Sequence, residues 1–204
     1  MKLKGAILIL SGPSGAGKSS LCKRLAQEFP NHYFSISSTT RAKRDDEVQG
    51  VHYNFISKDA FEESIAKNEF LEWARVHNHY YGTSREQVLK ALEEDKLVIF
   101  DIDVQGQRNL KKVFPFHTTS VFVTTPNKSV LKERLGARGS DIDSVIQMRL
   151  GNALDEVKSL PNYDYLIVNA NLEEATSKLI CIAKSAFCKT SLYALESFLQ
   201  NWEK

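Results

Sequence analysis

Residues Gly12-Pro13-Ser14-Gly15-Ala16-Gly17-Lys18-Ser19 form the pattern Gly-x-x-x-x-Gly-Lys-Ser. These residue types at this spacing can cradle a row of phosphates. The glycines let the backbone curl so that successive N–H groups point inward at phosphate oxygens. Lys18 would reach the β- and γ-phosphates, and the Ser19 hydroxyl would ligate Mg²⁺. An ordinary Gly-rich turn is the bland alternative, and the flanking segments argue against it. Ala6-Ile7-Leu8-Ile9-Leu10 reads as a buried strand, and Lys18 to Glu28 reads as a helix with Leu21, Leu25 and then Phe29 at helical spacing. Strand, loop and helix in that order make a phosphate-binding loop for a nucleoside triphosphate, with the positive helix end behind it.

Other charged residues fall where they could serve the same site. Leu97 to Phe100 is an apolar strand ending in Asp101-Ile102-Asp103, which delivers a carboxylate beside the phosphate loop to hold Mg²⁺ or its waters. Ser37 to Glu47 is a polar, charge-dense loop in which Arg41 and Arg44 could converge on a phosphate. Arg134, Arg138 and Arg149 bracket the helix break Gly136-Ala137-Arg138-Gly139-Ser140. Singly they read as solvated helix charges; together, around a Gly-flanked hinge, they read as a mobile lid that closes on phosphates. His77 and His79 would share a strand face, but with no third ligand nearby they read as polar residues of a hairpin.

The elements that must position these groups alternate. Tyr33 to Ile36, Gly50 to Phe55, Phe70 to Val76, Leu97 to Asp103, Thr119 to Thr124 and Tyr163 to Asn169 read as strands. Helical patterns cover Lys58 to Lys67, Ser84 to about Glu94, Gln105 to Val113, Asn127 to Leu135, Asp141 to about Ser159 and Leu172 to about Phe187. In the Asp141 helix Val145, Met148, Leu150, Leu154 and Val157 form the expected apolar set. The fold class that follows is a three-layer α/β fold around a central, mainly parallel sheet. Ligands are expected at the carboxyl ends of its strands, and residues 37–84 read as a mixed strand insertion. The tail, Ser191 to Trp202, carries Leu192, Leu195, Leu199 and Trp202 on one face and is expected to pack on the core or a partner.

At 204 residues, 42% hydrophobic and 25% charged, the chain suits one globular domain with inserted subdomains. A formal net charge of +2 makes no global case for nucleic acid or an anionic membrane as partner. Cys22, Cys181 and Cys188 are too few and scattered for a disulfide framework, and no CxxC pair offers a zinc site. No apolar stretch reads as a signal peptide or a membrane span, so the expected setting is cytoplasmic.

Further motifs add to the loop: Ser37-Ser38-Thr39-Thr40-Arg41-x-x-Arg44, Glu47-x-x-Gly50-x-x-Tyr53-x-Phe55 and Glu69-Phe70-Leu71-Glu72-Trp73. Tyr80-Tyr81-Gly82-Thr83, Asp101-Ile102-Asp103-x-Gln105-Gly106 and Arg138-Gly139 complete the set. With these in order the chain resembles the guanylate kinases over roughly residues 5 to 187. The resemblance implies a P-loop fold whose core spans about 1–36, 85–125 and 158–189. It also implies a nucleoside-monophosphate-binding insertion at about 37–84, a helical lid at about 126–157, and an extension at 190–204 outside the match. It further implies a Mg²⁺-dependent transfer of the ATP γ-phosphoryl to GMP, with dGMP as an expected second acceptor, in a monomer or small homo-oligomer.

By the same resemblance Gly12 to Ser19 hold the ATP phosphates, and Ser19 and Asp101 hold Mg²⁺. GMP is met by Ser37, Arg41, Arg44, Tyr53, Glu72, Tyr81, Gly82, Thr83 and Asp103, with Glu72 reading the guanine edge. Lys18, Arg44, Arg138 and Arg149 carry the catalytic charge, and Arg134 joins the lid. Guanine chemistry fits this: a carboxylate accepts from N1–H and the exocyclic amine together, whereas adenine would leave these groups mispaired. Two rival readings are a catalytically silent scaffolding module with this fold and a kinase for another acceptor. The intact Gly12, Gly17, Lys18 and Ser19 oppose the first, and Glu72 with Ser37 and Thr83 opposes the second. One departure stands out: Lys43 occupies a position where many of the guanylate kinases have proline. The loop thereby loses a φ constraint and is expected to order less readily.

Overall fold

A computed structural model describes residues 4–45, 47–76, 78–137 and 143–204. Arg138 and His77, singled out above, lie outside the described residues. In chain order the strands are β1 (Ala6–Ser11), β2 (His32–Phe34), β3 (Ser38–Thr39), β4 (Asn54–Phe55), β5 (Phe70–Val76), β6 (His79–Ser84), β7 (Leu97–Asp101), β8 (Thr118–Thr124) and β9 (Tyr165–Val168). The helices are α1 (Lys18–Glu28), α2 (Lys58–Ala66), α3 (Arg85–Glu93), α4 (Val104–Val113), α5 (Lys128–Gly136), α6 (Asp143–Val157), α7 (Leu172–Ala186) and α8 (Leu195–Trp202).

The main sheet has five strands in the order β2-β7-β1-β8-β9, and every neighbouring pair is parallel. A parallel sheet is covered on both faces, which explains why β1 is apolar throughout rather than alternating. Ala6, Leu8 and Leu10 point into a core shared with α1 and α7 through Leu21, Leu25, Ala175, Leu179 and Ala183. Ile7 and Ile9 point the other way, into a core with Val88 and Leu92 of α3 and Leu110 of α4. The three-layer α/β expectation holds. The phosphate-loop segment and Asp101 both leave the carboxyl ends of adjacent strands, β1 and β7, whose registers pair Leu10 with Asp101.

After β2 the chain leaves the main sheet and builds a second one in the order β4-β3-β6-β5. Phe61 of α2 is fully buried there, stacked on Phe70 at 4.4 Å and Tyr80 at 5.2 Å between ring centroids. Truncating such a ring costs about 3–5 kcal/mol, so Phe61 anchors this unit. β5 and β6 pair antiparallel with a register shift between Phe70 and Glu72. The bulge is what separates their side chains. Strict alternation would put residues 70 and 72 on one face, yet Phe70 packs toward Phe61 and Gly82 while Glu72 lines a cavity. Leu71, the extra residue, enters the main core beside Ile7, Ile9 and Val88.

Two local expectations are corrected and a third is narrowed. Of the segment Gly50 to Phe55 only Asn54 and Phe55 form strand; Val51 and His52 make a turn, closed by Gly50 N–H donating to the Tyr53 carbonyl at 2.9 Å. In α6 the inward residues are Ile146, Leu150 and Ala153, which with Leu131 and Leu135 of α5 make a small core of their own. Met148, Leu154 and Val157 are exposed instead, because the stripe that α6 buries against α5 is narrow. In the tail, packing on the core holds for Leu192 alone: Leu195, Phe198, Leu199 and Trp202 of α8 are exposed on this chain, which leaves the partner alternative for that face.

Candidate active site

The first half of the site is built by β1, the loop and α1. Gly12 has φ 136, and a Cβ there would stand 1.9 Å from the Val123 carbonyl oxygen, so only glycine lets the loop pass this close to β8. Gly17, at φ 94, is the N-cap of α1 and has no side chain to satisfy the first-turn N–H groups. An anion placed there would satisfy them and meet the positive helix end. The Lys18 ammonium donates to the carbonyl oxygens of Gly12 at 2.6 Å and Pro13 at 3.4 Å, and lies 3.8 Å from Asp101. These contacts hold the cation over the mouth of the loop. The surrounding cavity, about 320 Å³, is lined by Gly12, Ser14, Gly15, Gly17, Lys18, Ser19, Asp101 and Asp103 among others. Pro13 and Ala16 are buried in the loop's underside, where Ala16 N–H donates to the Pro13 carbonyl at 3.1 Å.

Helices α5 and α6 reach this half. Arg149 donates from Nη1 to the Ser14 hydroxyl at 3.0 Å. Arg134 donates to the Asn169 carbonyl at 2.9 Å, and the Asn169 amide donates to the Ala16 carbonyl at 2.8 Å. Asn169, at the end of β9, therefore ties α5 to the floor of the loop. Sequence reading missed it, since an asparagine after a strand is ordinary turn chemistry. Glu156 of α6 was missed as well: it lines the phosphate-loop cavity, and burial raises its pKa against the pull of Lys18.

The second half lies between β7 and the second sheet. A cavity of about 180 Å³ is lined by Ser37, Tyr53, Glu72, Ala74, Tyr81, Asp101 and Asp103, together with Val76, Ile102 and Gly106. Glu72 is 9% exposed, and its one hydrogen bond among the described residues comes from the Thr83 hydroxyl at 2.6 Å. Burial pushes its carboxyl up to about 7; the Thr83 bond lowers it and Asp103 raises it. A buried carboxylate with unused acceptor capacity is costly, and donors arriving on a ligand would relieve that cost. Thr83 reaches the site through Glu72, while Gly82 lies on the opposite face of β6, against Phe61 and Phe70. Asp103 caps α4, accepting from Gln105 N–H at 3.1 Å and Gly106 N–H at 2.8 Å through one oxygen.

Arg41 and Arg44 differ. The Arg41 fork donates to both oxygens of Glu47, at 2.9 and 2.6 Å, and its guanidinium sits 5.4 Å from the Tyr53 ring centroid and 5.6 Å from that of Phe55. The pair holds Glu47 below its ordinary range and Arg41 above its own. The Arg44 side chain is exposed. Burial and the Asp101 charge push the Tyr53 hydroxyl up to about 12, so it stays a donor. Glu47 was quoted within a motif but given no role at the sequence level; six positions separate it from Arg41, a spacing with no helical or strand meaning in a loop.

Asp101, whose carboxyl is raised by burial and lowered by Lys18, and the exposed Ser19 hydroxyl line the same cavity. Oxygen donors of this kind suit Mg²⁺. Among the described residues no three His, Cys, Asp or Glu side chains group to cage a metal. Also among the described residues, no helix is long and apolar enough to cross a membrane.

Comparison with known proteins agrees with this geometry. The family model described as guanylate kinase matches residues 4–186. Over 200 residues the chain is 52% identical to a guanylate kinase of Wolinella succinogenes, covering 98% of this chain and 93% of the relative. It is 50% identical over 197 residues to one of Helicobacter pylori, covering 97% and 95%. The crystal structure of guanylate kinase from Anaplasma phagocytophilum superposes with a TM-score of 0.80 at 28% identity, covering 98% of this chain and 95% of that one. A phosphate loop facing a buried carboxylate across adjoining cavities, with a family match along nearly the whole chain, places it in one group: the chain belongs to the guanylate kinase family.

Proposed function

We propose that this chain transfers the γ-phosphoryl of ATP to GMP, yielding ADP and GDP. The observation that carries the reading is Glu72, buried, raised to about 7 and facing a cavity that adjoins the phosphate loop. Ionised, it accepts from guanine N1–H and the exocyclic amine; Thr83 orients it, and Ser37 supplies a hydroxyl for O6. Arg41, Arg44, Tyr53 and Tyr81 receive the acceptor phosphate. The donor phosphates lie on Gly12 to Ser19, with Lys18 at the β- and γ-oxygens. Ser19 and Asp101 would hold Mg²⁺, which when bound neutralises charge on the phosphates.

The acceptor oxygen already carries charge near neutral pH, because the second phosphate pKa is about 6. The protein therefore has to align two anions and stabilise the moving phosphoryl, with no general base needed. Lys18, Arg44, Arg138 and Arg149 supply that charge. Arg149 already touches the loop through Ser14, and Arg134 braces the lid against Asn169. In this reading residues 37–84 are the acceptor-binding unit, 126–157 the lid and 190–204 an accessory helical extension, and the reaction belongs to the cytoplasm.

The test is a coupled assay for ADP release with ATP and each nucleoside monophosphate in turn. GMP as the preferred acceptor is expected. Equal rates with AMP or dTMP would overturn the assignment, and no turnover with any acceptor would leave only a binding module.

A further inference from the structure

The acceptor-phosphate loop is held shut by two residues that no part of the proposed chemistry uses. Glu47 accepts from the Arg41 fork at 2.6 and 2.9 Å and, through Oε2, from the Arg44 backbone N–H at 2.9 Å. Lys43 closes the same loop from outside: its ammonium donates to the Glu47 carbonyl at 2.9 Å and to the Arg44 carbonyl at 3.4 Å. The Glu47 N–H returns to the Arg44 carbonyl at 3.1 Å, so the segment is a ring of hydrogen bonds. Arg41 and Glu47 are only 15% and 11% exposed, which makes this pair stiffer and less screened than an ordinary surface bridge.

We propose that Lys43 and Glu47 act as a clamp that positions Arg41 and Arg44 for the phosphate of the acceptor nucleotide. A guanidinium presents five N–H donors in a rigid fork. Glu47 occupies one side of that fork, and the rings of Tyr53 and Phe55 back it. Nη1 also donates to the Ala42 carbonyl at 2.7 Å, and Tyr81 bonds the same guanidinium, so rotation of the fork is limited before any ligand arrives and only the N–H groups not engaged by Glu47, Ala42 and Tyr81 are left to meet a phosphate. Prepaid ordering of this kind shows as ligand affinity. Lys43, standing where proline would have restricted φ, restores the restriction through its side chain. The loop that the sequence leads one to expect as less ordered is thus tied at both backbone carbonyls. Lys43 and Glu47 are positioning residues: they act on the phosphate through Arg41 and Arg44.

The proposal rests on the reading of Arg41 as a phosphate ligand, and its test separates the two. In the full-length chain, KM for GMP, KM for ATP, kcat and the inhibition constant of guanosine, which lacks the phosphate, are measured for K43M, E47Q and R41M. Expected are rises in GMP KM of about 3–10-fold for Lys43→Met and about 10–100-fold for Glu47→Gln. Guanosine inhibition and ATP KM should stay within about twofold, and the melting temperature within a few degrees of the parent, a pattern that a general loosening of the second sheet would not give. Glu47→Asp, which keeps the charge, should recover part of the loss. Unchanged GMP KM in both variants, with a large rise in R41M, would overturn the clamp and leave the phosphate assignment standing. Unchanged GMP KM in R41M would overturn both. Parallel losses for GMP and guanosine would also sink the clamp, reassigning these residues to folding of the insertion.

Discussion

The two halves of the site are made in different ways. The proposed donor half is one continuous stretch, Gly12 to Ser19, running from the end of β1 into the first turn of α1, and its cation is already seated on the carbonyls of Gly12 and Pro13. The proposed acceptor half is gathered from β5, β6, β7, α4 and the three loops that carry Ser37, Tyr53 and Asp103, and its buried carboxyl, Glu72, accepts one hydrogen bond among the described residues. In the proposed reading the donor half binds what any triphosphate offers, while the buried Glu72 carboxyl of the acceptor half gains the partners it lacks only from a ligand that brings donors, which would make it the source of choice. Binding strength can be spread along a local loop, whereas selectivity needs a buried polar group whose partners come only with the ligand.

Breaking the halves one at a time should give distinct signatures. Lys18→Met should lower kcat by about 10³–10⁵ while GMP binding, read by calorimetry, stays near the parent value. A comparable loss of GMP affinity would show that the halves are not separable. Glu72→Gln comes next: GMP KM should rise on the order of 100-fold, with ATP KM nearly unmoved, because a neutral amide cannot accept from two guanine donors with charge assistance. A rise in both constants would mean that Glu72 supports the fold rather than the base.

The pH response should sharpen the contrast. GMP affinity should fall by about tenfold per pH unit below about 7, as Glu72 takes up its proton; ATP shares only the phosphate protonation at about pH 6, so guanosine, which has the base without the phosphate, should show the Glu72 step alone. Stability of the ligand-free chain should move oppositely. The folded-state carboxyl lies above its unfolded value, so its contribution is full at acid pH and is lost as pH rises from about 4.5 to 7, on the order of 3 kcal/mol. Denaturant titrations across this window, compared with Glu72→Gln, measure it; coincident curves would mean that Glu72 is not buried as described. The smallest effect is expected from Asn169→Ala, which removes the amide bond to the Ala16 carbonyl: ATP KM should rise about 3–10-fold and GMP KM should not. A change in GMP KM instead would place Asn169 in the other half.

The same division governs how much could be read from the residue order. The loop, β1 and α1 are legible because every constraint on them is local: an apolar run, glycines at positive φ and a helix pattern. Asp101 is legible because its strand ends in acid. The placement of Glu72 is less so. Strict alternation groups it correctly with Ala74 but would put Phe70 on the same face, and only the bulge at Leu71 separates them. The apolar face of α6 differs from its periodicity for a related reason: amphipathic spacing states which residues could be buried, and only the neighbouring elements state which are.

The sequence by itself determined that a triphosphate site sits at the end of the first strand, that the fold is α/β, and that the chain resembles the guanylate kinases. Short-range backbone geometry and period are enough for the first two, and ordered motifs for the third. The tertiary structure alone decided that Thr83 serves Glu72 and that Arg41 is held by Glu47 and lies over Tyr53. It also decided that Lys43 closes the loop and that Asn169 joins α5 to the floor of the phosphate loop. Each of these is a meeting of a side chain with another side chain or a distant carbonyl, and such meetings depend on burial and register, which no spacing along the chain encodes.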